Sequence, residues 1–543
     1  MKRLLYLLPL LLAQQATAQV PVMLKDINSG IENGAGSMLN AAVYNGKLYF
    51  TAQDVLDNNE LWSTDGSTTG TVLVKDIESG RSSFPGNYKV FNGNLYFTAM
   101  TTAEGSELWK TDGTASGTAM LKDIWTGTTS SYPRNFVEYN GSFFFTAEEP
   151  GSGGFHHVIY KTDGTAANTS PLSLGPWTVG SMYFAELGGK LYFGADNTLA
   201  ATGSELWQSD GTTLGTTILK DITPGVGASL PEFLTVFGSS KFLFSGKGTS
   251  GYELYMSDGT DAGTVLLKDI NPGAGNSYPD GFTEMNGKMY FFANDGTAGR
   301  EPWVTDGTPA GTMMLKDVFT GSDGSVGMGV YAKLDNKLVF LAENNTQGKE
   351  LWVTDGTTTG TAIISDMVAG SGSGVQDIRT QNVIGGKLYF SGNDGVHGNE
   401  PWETDGTAAG TKMIYDIRTG ADSSMLPWET GFIAMDTAIY FVANDGTHGD
   451  EVWKLGVPTA VGNVTATAAN IKVYPNPTTG MVTIYTNGAT LQAEVYNAVG
   501  QLVHTAVVNN AAINLQSHTQ GVYYIVLKDN SGNSYRHKIL LMQ

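Results

Sequence analysis

Apolar and polar positions recur along most of the chain in one fixed order. Each copy begins with a short apolar stretch, passes through Asn-Gly or a similar turn, and continues with an apolar triplet such as Leu48-Tyr49-Phe50. Glu-Leu-Trp-x-Thr-Asp-Gly-Thr-x-x-Gly-Thr follows, and an apolar run ending in Lys-Asp-Ile completes the copy, as in Glu60–Ile77. Short apolar runs bounded by turn residues predict strands joined by hairpins. We therefore predict an all-β fold in which each copy is a four-stranded antiparallel meander.

The Asp-Gly-Thr turn marks the copies most clearly. Its aspartates are separated by 47 to 51 residues, and a fixed period in this range indicates a repeat architecture. We interpret these aspartates as structural, because turn chemistry explains aspartate, glycine and threonine at these places and a catalytic aspartate is not needed eight times. The turn aspartates are Asp65, Asp112, Asp163, Asp210, Asp258, Asp306, Asp355 and Asp405.

A lone four-stranded sheet leaves both faces wet, and stacking the copies face to face buries them, as in a β-propeller. The region after residue 18 begins with Val22–Ile27, a fourth strand that no copy precedes, and the array ends at Glu451–Trp453, a third strand that no fourth follows. We predict a β-propeller of nine repeat units in which the N-terminal strand closes the last blade and protects two sheet edges. Nine exceeds the usual four to eight blades, so an open arc is the alternative.

The two ends of the chain differ from the repeats. Lys2 and Arg3, the apolar run Leu4–Leu12 and the small-x-small site Ala16–Ala18 predict a signal peptide over residues 1–18. Residues 19–456 carry the repeats, and residues 457–470, rich in Thr, Ala and Val, predict a linker. Alternating runs in residues 471–543 predict a small β-sandwich. No later segment is long and apolar enough to predict a membrane span.

Composition narrows the classes of function. The formal charge of −21 disfavours nucleic acid as a partner, since like charges repel a phosphate backbone. The chain has no cysteine, which excludes disulfides, thiol catalysis and cysteine-based zinc sites. Sequence motifs of serine hydrolases, zinc proteases and phosphate-binding loops are absent as well.

Two parts of the chain resemble known families. The repeats, roughly Val22 to Leu455, resemble the ELWxxDGT repeat proteins of bacterial surfaces, and the resemblance implies an extracellular protein of Bacteroidetes-type bacteria without an assigned activity. The tail is similar to the type A C-terminal sorting domain of the type IX secretion system, which implies the secretion machinery as a partner through residues 471–543 and a secreted or cell-surface location. The matching residues are Val473-Tyr474-Pro475-Asn476-Pro477, Gly480, Val495-Tyr496-Asn497, Gly500, Gly521-Val522-Tyr523-Tyr524 and Lys538-Ile539.

Candidate ligand contacts lie outside the repeat register or in variable loops. Trp125, Trp177 and Trp428 do not occupy the repeated tryptophan position, and His397 and His448 lie in polar loops between the second and third strands. Ordinary turns are one interpretation of these oxygen-rich loops, and calcium sites are the alternative, because calcium prefers oxygen ligands. No other cofactor is predicted. The aspartates that would bind calcium are Asp295, Asp394, Asp445 and Asp450.

Two further interpretations concern the third strand. We expect its repeated tryptophan, as in Trp62, to pack between blades, because burying such a ring contributes several kcal/mol (~3). We expect Glu60, Glu107 and their equivalents to pair with lysines of the fourth strands between blades.

The favoured function is non-enzymatic: ligand binding or adhesion at the cell surface, with a glycan or a protein as the ligand. The alternative is a secreted polysaccharide-acting hydrolase or lyase with its site in the propeller channel. It requires a non-repeated charged cluster, for which the degenerate third unit with His156 and His157 is the best place. A purely structural surface component is the third reading.

Overall fold

The computed structural model describes residues 20–54, 58–149, 157–172, 177–178, 183–197, 202–327, 329–427, 431–456, 472–474, 478–485, 490–497, 502–509, 511–518, 520–528 and 534–541. The predicted signal peptide (1–18) and linker (457–470) lie outside these residues. The chain divides into two compact units, Met1–Gly456 and Val457–Gln543.

The described part of the first unit contains nine antiparallel sheets, which we number in chain order. The N-terminal strand is β1 (Val22–Lys25). Sheet 1 comprises β2 (Ala42–Tyr44), β3 (Lys47–Gln53), β4 (Asn59–Thr64) and β5 (Val72–Lys75). Sheet 2 comprises β6 (Gly86–Phe91), β7 (Asn94–Thr101), β8 (Gly105–Thr111) and β9 (Ala119–Lys122). Sheet 3 comprises β10 (Arg134–Tyr139), β11 (Ser142–Glu148), β12 (His157–Thr162) and β13 (Ser170–Pro171). Sheet 4 comprises β14 (Trp177–Thr178), β15 (Ala185–Leu187), β16 (Lys190–Asn197), β17 (Ser204–Ser209) and β18 (Thr217–Lys220). Sheet 5 comprises β19 (Glu232–Phe237), β20 (Lys241–Gly248), β21 (Gly251–Ser257) and β22 (Val265–Lys268).

The remaining sheets of this unit follow the same plan. Sheet 6 comprises β23 (Asp280–Met285), β24 (Lys288–Asn294), β25 (Arg300–Thr305) and β26 (Met313–Met314). Sheet 7 comprises β27 (Ala332–Leu334), β28 (Lys337–Ala342), β29 (Glu350–Thr354) and β30 (Ala362–Ser365). Sheet 8 comprises β31 (Val383–Ile384), β32 (Lys387–Asn393), β33 (Asn399–Thr404) and β34 (Lys412–Met413). Sheet 9 comprises β35 (Ile433–Met435), β36 (Ala438–Asn444) and β37 (Asp450–Gly456), with β1 as its fourth strand. Two short 3₁₀ helices span Met38–Asn40 and Thr380–Asn382.

Each of sheets 1 to 8 is a meander in which strands that follow each other in sequence pair with each other; sheet 4 gains β14 as a fifth strand. The first hairpin has the turn that its sequence predicts: Asn45 and Gly46 have φ values of 49° and 72°, the positive values that a two-residue hairpin turn needs. The apolar triplet and the Glu-Leu-Trp strand pair in register, as with Phe50 opposite Trp62. The predicted all-β class and its four-stranded antiparallel sheets are confirmed.

The apolar core lies between successive sheets. Each pair of neighbours from sheet 1 to sheet 8 shares a cluster of buried apolar side chains. The repeated tryptophan belongs to these clusters, with Trp62 and Trp109 each 7 % exposed, so its predicted packing role is confirmed. Between sheets 8 and 9, the rings of Tyr389 and Phe432 lie 5.8 Å apart.

The two ends of the first unit meet in sheet 9. Strand β1 pairs antiparallel with β37, with Met23 opposite Trp453. Leu24 and Val452 of this sheet are buried against Phe50 and Trp62 of sheet 1. The pairing that the sequence predicts for the first and last strands is therefore present.

The second unit consists of two sheets in its described residues. One contains β38 (Lys472–Tyr474), β39 (Met481–Tyr485) and β42 (Ala511–Asn514). The other contains β40 (Leu491–Asn497), β41 (Leu502–Val508), β43 (Gly521–Lys528) and β44 (Ser534–Leu541). Val482 and Ile484 of the first sheet and Val495, Ile525 and Ile539 of the second share one buried cluster, as in a sandwich.

Candidate functional site

The Asp-Gly-Thr turns repeat one hydrogen-bond pattern. Asp65 Oδ1 accepts the backbone N–H of Ser67 at 2.9 Å and its hydroxyl at 2.6 Å. The same two bonds recur at the other seven turn aspartates. The hydroxyl hydrogen bond, followed by the backbone one, holds the pKa of Asp65 below its ordinary value. These carboxylates are engaged in turns, in keeping with a structural role.

Steric constraints explain why two positions of the motif are glycine. Gly66 has φ +85°, and a Cβ there would lie 2.3 Å from the hydroxyl of Tyr440 in sheet 9. Gly70 has a negative φ, but a Cβ would lie 2.0 Å from Asp65 Oδ1. Gly66 therefore lets the turn approach the tyrosine of the neighbouring sheet, and Gly70 leaves room for the aspartate of its own turn.

The glutamate of Glu-Leu-Trp does not pair with lysine, contrary to the expectation from charge. Glu107 is fully buried, and its carboxylate accepts the backbone N–H groups of Ile124 at 2.9 Å and Ser131 at 3.0 Å and the Ser131 hydroxyl at 2.6 Å. Burial, opposed by these hydrogen bonds, raises its pKa to about 7. The glutamate thus fastens the linker between sheets to the third strand, and a charged pair was the wrong prediction.

The lysines of the fourth strands donate instead to carbonyl groups of the next sheet. Lys25 Nζ donates to Thr71 O at 2.8 Å, and Lys268 and Lys316 make the equivalent contacts at 3.1 and 2.6 Å with Thr312 O and Thr361 O. These bonds tie a fourth strand to the neighbouring Asp-Gly-Thr turn, which explains why the lysine recurs.

The polar loops between second and third strands also use their aspartates in turns. Oδ1 of Asp394 accepts two backbone N–H groups, and its Oδ2 lies 2.7 Å from His397 Nδ1. Asp445 and His448 repeat this arrangement at 2.8 Å, and the hydrogen bond from Asp445 raises the pKa of His448. Asp295 accepts the backbone N–H groups of the residues two and three positions on. In the described part of the chain, no three carboxylate or histidine side chains converge as a metal site requires.

Asp450 lies apart from those turns. Its carboxyl accepts from the Asn444 amide at 3.3 Å, and burial raises its pKa. It lines a cavity of about 260 Å³ together with Asn33, Gln53, Asn59 and Ser424, where sheets 8, 9 and 1 meet. Calcium at these aspartates stays a prediction.

The tryptophans outside the repeat register are placed unequally. Trp125 is half-buried in the linker that follows β9. Trp177 pairs with Asn197 through β14, but its side chain and the whole of Trp428 lie outside the described residues.

The degenerate third unit holds a charged group that contains a histidine. His157 lies against the guanidinium of Arg134, and its Nδ1 is 3.9 Å from Glu148 Oε1. At the same place in sheet 6 the charges are exchanged, with Arg300 paired to the buried Asp280. His156 lies outside the described residues.

Sequence reasoning missed a set of side chains held before proline. Phe84, Tyr132, Leu230 and Tyr278 precede Pro85, Pro133, Pro231 and Pro279, and all four have φ values between 43° and 46°. This left-handed region is unusual for bulky residues, and the residue before proline ordinarily prefers an extended conformation. Phe84, Tyr132 and Tyr278 are 57, 53 and 53 % exposed. The recurring Ser-x-Pro tripeptide is the signal from which the set could have been found.

The first strands of sheets 2, 3, 5 and 6 then contain a bulge. Asn87, Asn135, Phe233 and Gly281 stand at this bulge, with φ values from 54° to 68°, where the register with the second strand shifts. Bulges re-aim side chains and are enriched near functional sites. We call this place the bulge position; Tyr183, Val330 and Thr380 hold the corresponding place in sheets 4, 7 and 8.

The bulge position surrounds a second cavity, of about 190 Å³. Its lining comes from five consecutive sheets, 4 to 8, and no charged side chain belongs to the lining. The rings of Tyr183 and Phe233 lie 4.7 Å apart on one side. Several neighbouring first strands contact each other, as β19 contacts β15 and β23, so this cavity lies on the side of the sheets where the first strands come together.

Comparison with solved structures finds distant likenesses. A puromycin hydrolase is 13 % identical over 69 % of this chain and 61 % of its own, with a TM-score of 0.35. PorZ of Porphyromonas gingivalis, described as an essential bacterial surface component of the type IX secretion system, is 10 % identical over 96 % of this chain and 82 % of its own, with a TM-score of 0.29. A structure from a study of two prolyl endopeptidases is 11 % identical over 82 % of this chain and 54 % of its own, with a TM-score of 0.37.

The chain thus spans less than two thirds of the puromycin hydrolase and prolyl endopeptidase, and at these TM-scores we transfer nothing from the three proteins. No curated protein matches the sequence.

The second unit gives a clear assignment. Among the described residues, no helix has the length and apolar character to span a bilayer. Residues 472–542 match the family described as the secretion system C-terminal sorting domain. The chain therefore carries a type IX secretion C-terminal sorting domain, which addresses it to the secretion machinery for export to the cell surface or secretion.

Proposed function

We propose that the first unit is a closed nine-bladed β-propeller of the ELWxxDGT type that binds a ligand outside the cell. Support for closure comes from the strand that completes sheet 9 and from two contacts between sheets 9 and 1. Strand β1 completes sheet 9, Lys25 donates to Thr71 O of sheet 1 at 2.8 Å, and Lys454 Nζ donates to Gly66 O at 2.9 Å. These are the contacts that other neighbouring sheets make, so the last sheet relates to the first as any sheet does to the next.

The observation that carries a binding role is the set of exposed side chains before proline. Holding a bulky residue at φ near 45° costs about 1 to 2 kcal/mol. Phe84, Tyr132 and Tyr278 recover little of this cost by burial, since more than half of each side chain is exposed. Strain kept at an exposed aromatic side chain supports selection for contact with a partner.

The partner is an extracellular surface, either glycan or protein. Exposed tyrosine and phenylalanine offer rigid contact area with few rotatable bonds, and the net charge of −21 disfavours strongly anionic surfaces. Such a surface, repeated at sheets 2, 3 and 6, suits adhesion through several weak contacts.

The test is binding of the purified mature chain to a glycan array and to immobilised mucin from which the sialic acids have been removed. The double variant Tyr132→Ser/Tyr278→Ser should lose at least tenfold in affinity. Leu214→Ser is the matched control, because Leu214 is 88 % exposed but lies in an Asp-Gly-Thr turn with ordinary φ. Equal binding by the double variant and the control would refute the role of these side chains.

A secreted hydrolase or lyase is the second candidate, favoured by the non-repeated group Arg134, His157 and Glu148. Turnover of a polysaccharide panel by the mature chain, abolished in His157→Gln, would establish it. Calcium at Asp394, Asp445 and Asp450 is proposed alongside; a rise in melting temperature with added Ca²⁺, absent in Asp450→Asn, would support it.

A further inference from the structure

We propose that the cavity at the bulge position of sheets 4 to 8 is a binding site for one neutral sugar ring. It is separate from the exposed pre-proline side chains, and it adds a small-ligand site to the adhesion surface. The bulge position is occupied by different residues in different sheets of the first unit.

Gly281 contributes backbone rather than a side chain to the cavity wall. Sheets 2 and 3 place Asn87 and Asn135 at the bulge position, whereas sheet 6 places a glycine there at φ +68°. A Cβ on Gly281 would lie 2.7 Å from Gly329 O and 2.9 Å from the Phe292 ring, so neighbouring atoms already fill its side-chain space. Its backbone therefore lines the cavity together with Phe233 of sheet 5 and Val330 of sheet 7.

The walls combine apolar faces with hydroxyl groups. Tyr183 is 40 % and Val330 39 % exposed, so part of each apolar side chain is not packed in the core and can contact a ligand in the cavity. Thr235, Thr283 and Thr380 add hydroxyl groups from three different sheets. Thr235 donates its hydroxyl to Phe233 O at 2.9 Å and keeps its lone pairs for an incoming donor. A ligand that suits these walls has an apolar face and hydroxyl groups at its edge, as a hexopyranose has.

The charge and the size of the cavity restrict the class of ligand further. The nearest carboxylates, Glu232 and Asp280, do not line the cavity, and Asp280 is buried against Arg300. An uncharged cavity in a protein of net charge −21 disfavours uronic acids and phosphorylated sugars. A cavity volume of about 190 Å³ suits one sugar ring within these walls.

The experiment measures binding of methyl glycosides to the purified mature chain by ligand-observed NMR and titration. The probes are the methyl glycosides of glucose, galactose, mannose and N-acetylglucosamine, with glucuronic acid as the anionic comparison. At least one neutral probe should bind, and glucuronic acid should bind at least tenfold more weakly.

The variants use residues that the chain itself places at this position. Phe233→Asn introduces the residue found in sheets 2 and 3, which tolerates positive φ, and removes one aromatic wall; Tyr183→Ala removes the other. Each should weaken sugar binding at least tenfold, while Asn135→Gly, at the bulge position of sheet 3 and outside the cavity, should change it less than twofold.

Several results would overturn the proposal. One is that no neutral probe binds, and another is that Phe233→Asn and Tyr183→Ala leave sugar binding intact. A third is preferential binding of N-acetyl-leucine amide or N-acetyl-tryptophan amide, which would make the cavity a pocket for a protein side chain. Mucin binding by the same variants separates this site from the adhesion surface. Loss of sugar binding with intact mucin binding is the expected pattern, and intact mucin binding without any sugar binding defeats the cavity alone.

Discussion

Replacing Glu451 by glutamine should stabilise the first unit at alkaline pH and leave it unchanged at acidic pH. Glu451 is fully buried, and its Oε1 accepts the backbone N–H groups of Ile27 at 3.1 Å and Asn28 at 3.2 Å. Its Oε2 is buried and meets no donor among the described residues. Burial, opposed by these two bonds and aided by Asp26 and Asp450, raises the pKa to about 8.

The sign of the pH dependence follows from where the proton is held. Between the ordinary pKa of 4.5 and about 8, the folded state keeps the proton that the unfolded chain releases, so unfolding becomes easier as pH rises. The slope is about 1.4 kcal/mol per pH unit for one group. From pH 5 to pH 8 the wild-type chain therefore loses at most about 4 kcal/mol that Glu451→Gln does not lose.

Glutamine fits this place because its Oε1 keeps both acceptor contacts and its amide replaces the oxygen that meets no donor. The control is Glu107→Gln, because both oxygens of Glu107 accept hydrogen bonds, from Ser131 and Ile124. Its new amide would face an N–H or O–H donor, and we expect a loss of about 1 to 3 kcal/mol already at pH 5.

The assay is urea unfolding followed by tryptophan fluorescence at pH 5 and pH 8. All ten tryptophans lie in the first unit, so the signal reports that unit alone. An equal destabilisation of Glu451→Gln at both pH values would show that the carboxylate is ionised throughout, and the reasoning from burial would fail. No effect at either pH would show that Ile27 and Asn28 do not dock on β37 in solution.

Three further changes test the repeat itself. Gly66→Ala should lower the free energy of unfolding in urea by about 2 to 4 kcal/mol, because the new Cβ meets the Tyr440 hydroxyl at 2.3 Å. Gly46→Ala, at φ +72° in open space, should lower it by about 1 kcal/mol, and equal losses would contradict the close approach at Gly66. Tyr132→Gly should be about 1 kcal/mol more stable than Tyr132→Ala, since only glycine relieves φ +46°; the reverse order in melting temperature would remove the strain argument. Asp355→Ala should lose about 1 kcal/mol at pH 7. Because hydrogen bonds lower the pKa of Asp355, the deficit should shrink once the pH falls below the ordinary value of 3.8, and a deficit that does not shrink on acidification would contradict the turn chemistry.

The strands and hairpins could be predicted from sequence because their causes are local. Asn45-Gly46 specifies its turn through positive φ, and apolar triplets such as Leu48-Tyr49-Phe50 mark strands buried on both faces. The pairing of β1 with β37 followed from counting strands in an otherwise regular array. These inferences need only neighbours in sequence or the repeat period.

The role of the repeated glutamate could not be read in the same way. Its partners lie 17 and 24 residues further on, in linkers without strand periodicity, and the nearest opposite charge in the motif suggested lysine instead. What decides against a Glu–Lys pair is burial, because Glu107 has no exposed surface while the lysines reach carbonyl groups at the sheet edge. The pre-proline side chains were missed for a related reason: proline after Tyr132 argues for an extended residue, and the structure has the left-handed region instead.

Positions that repeat in every sheet stabilise the fold, whereas positions that vary between sheets are available for ligand binding. The glutamates, turn aspartates and glycines fix how one sheet sits against the next, so changes there act on stability through contacts such as Gly66 against Tyr440. The bulge position is held in place by that frame but makes few of its contacts, which leaves it free to carry asparagine in sheet 3, phenylalanine in sheet 5 and glycine in sheet 6. The wall of the cavity therefore varies from sheet to sheet through the residue at the bulge position, while the contacts between sheets recur. For this reason Phe233→Asn should alter binding while leaving the unfolding transition within about 1 kcal/mol of wild type, and a large loss of stability would mean that Phe233 serves the frame instead.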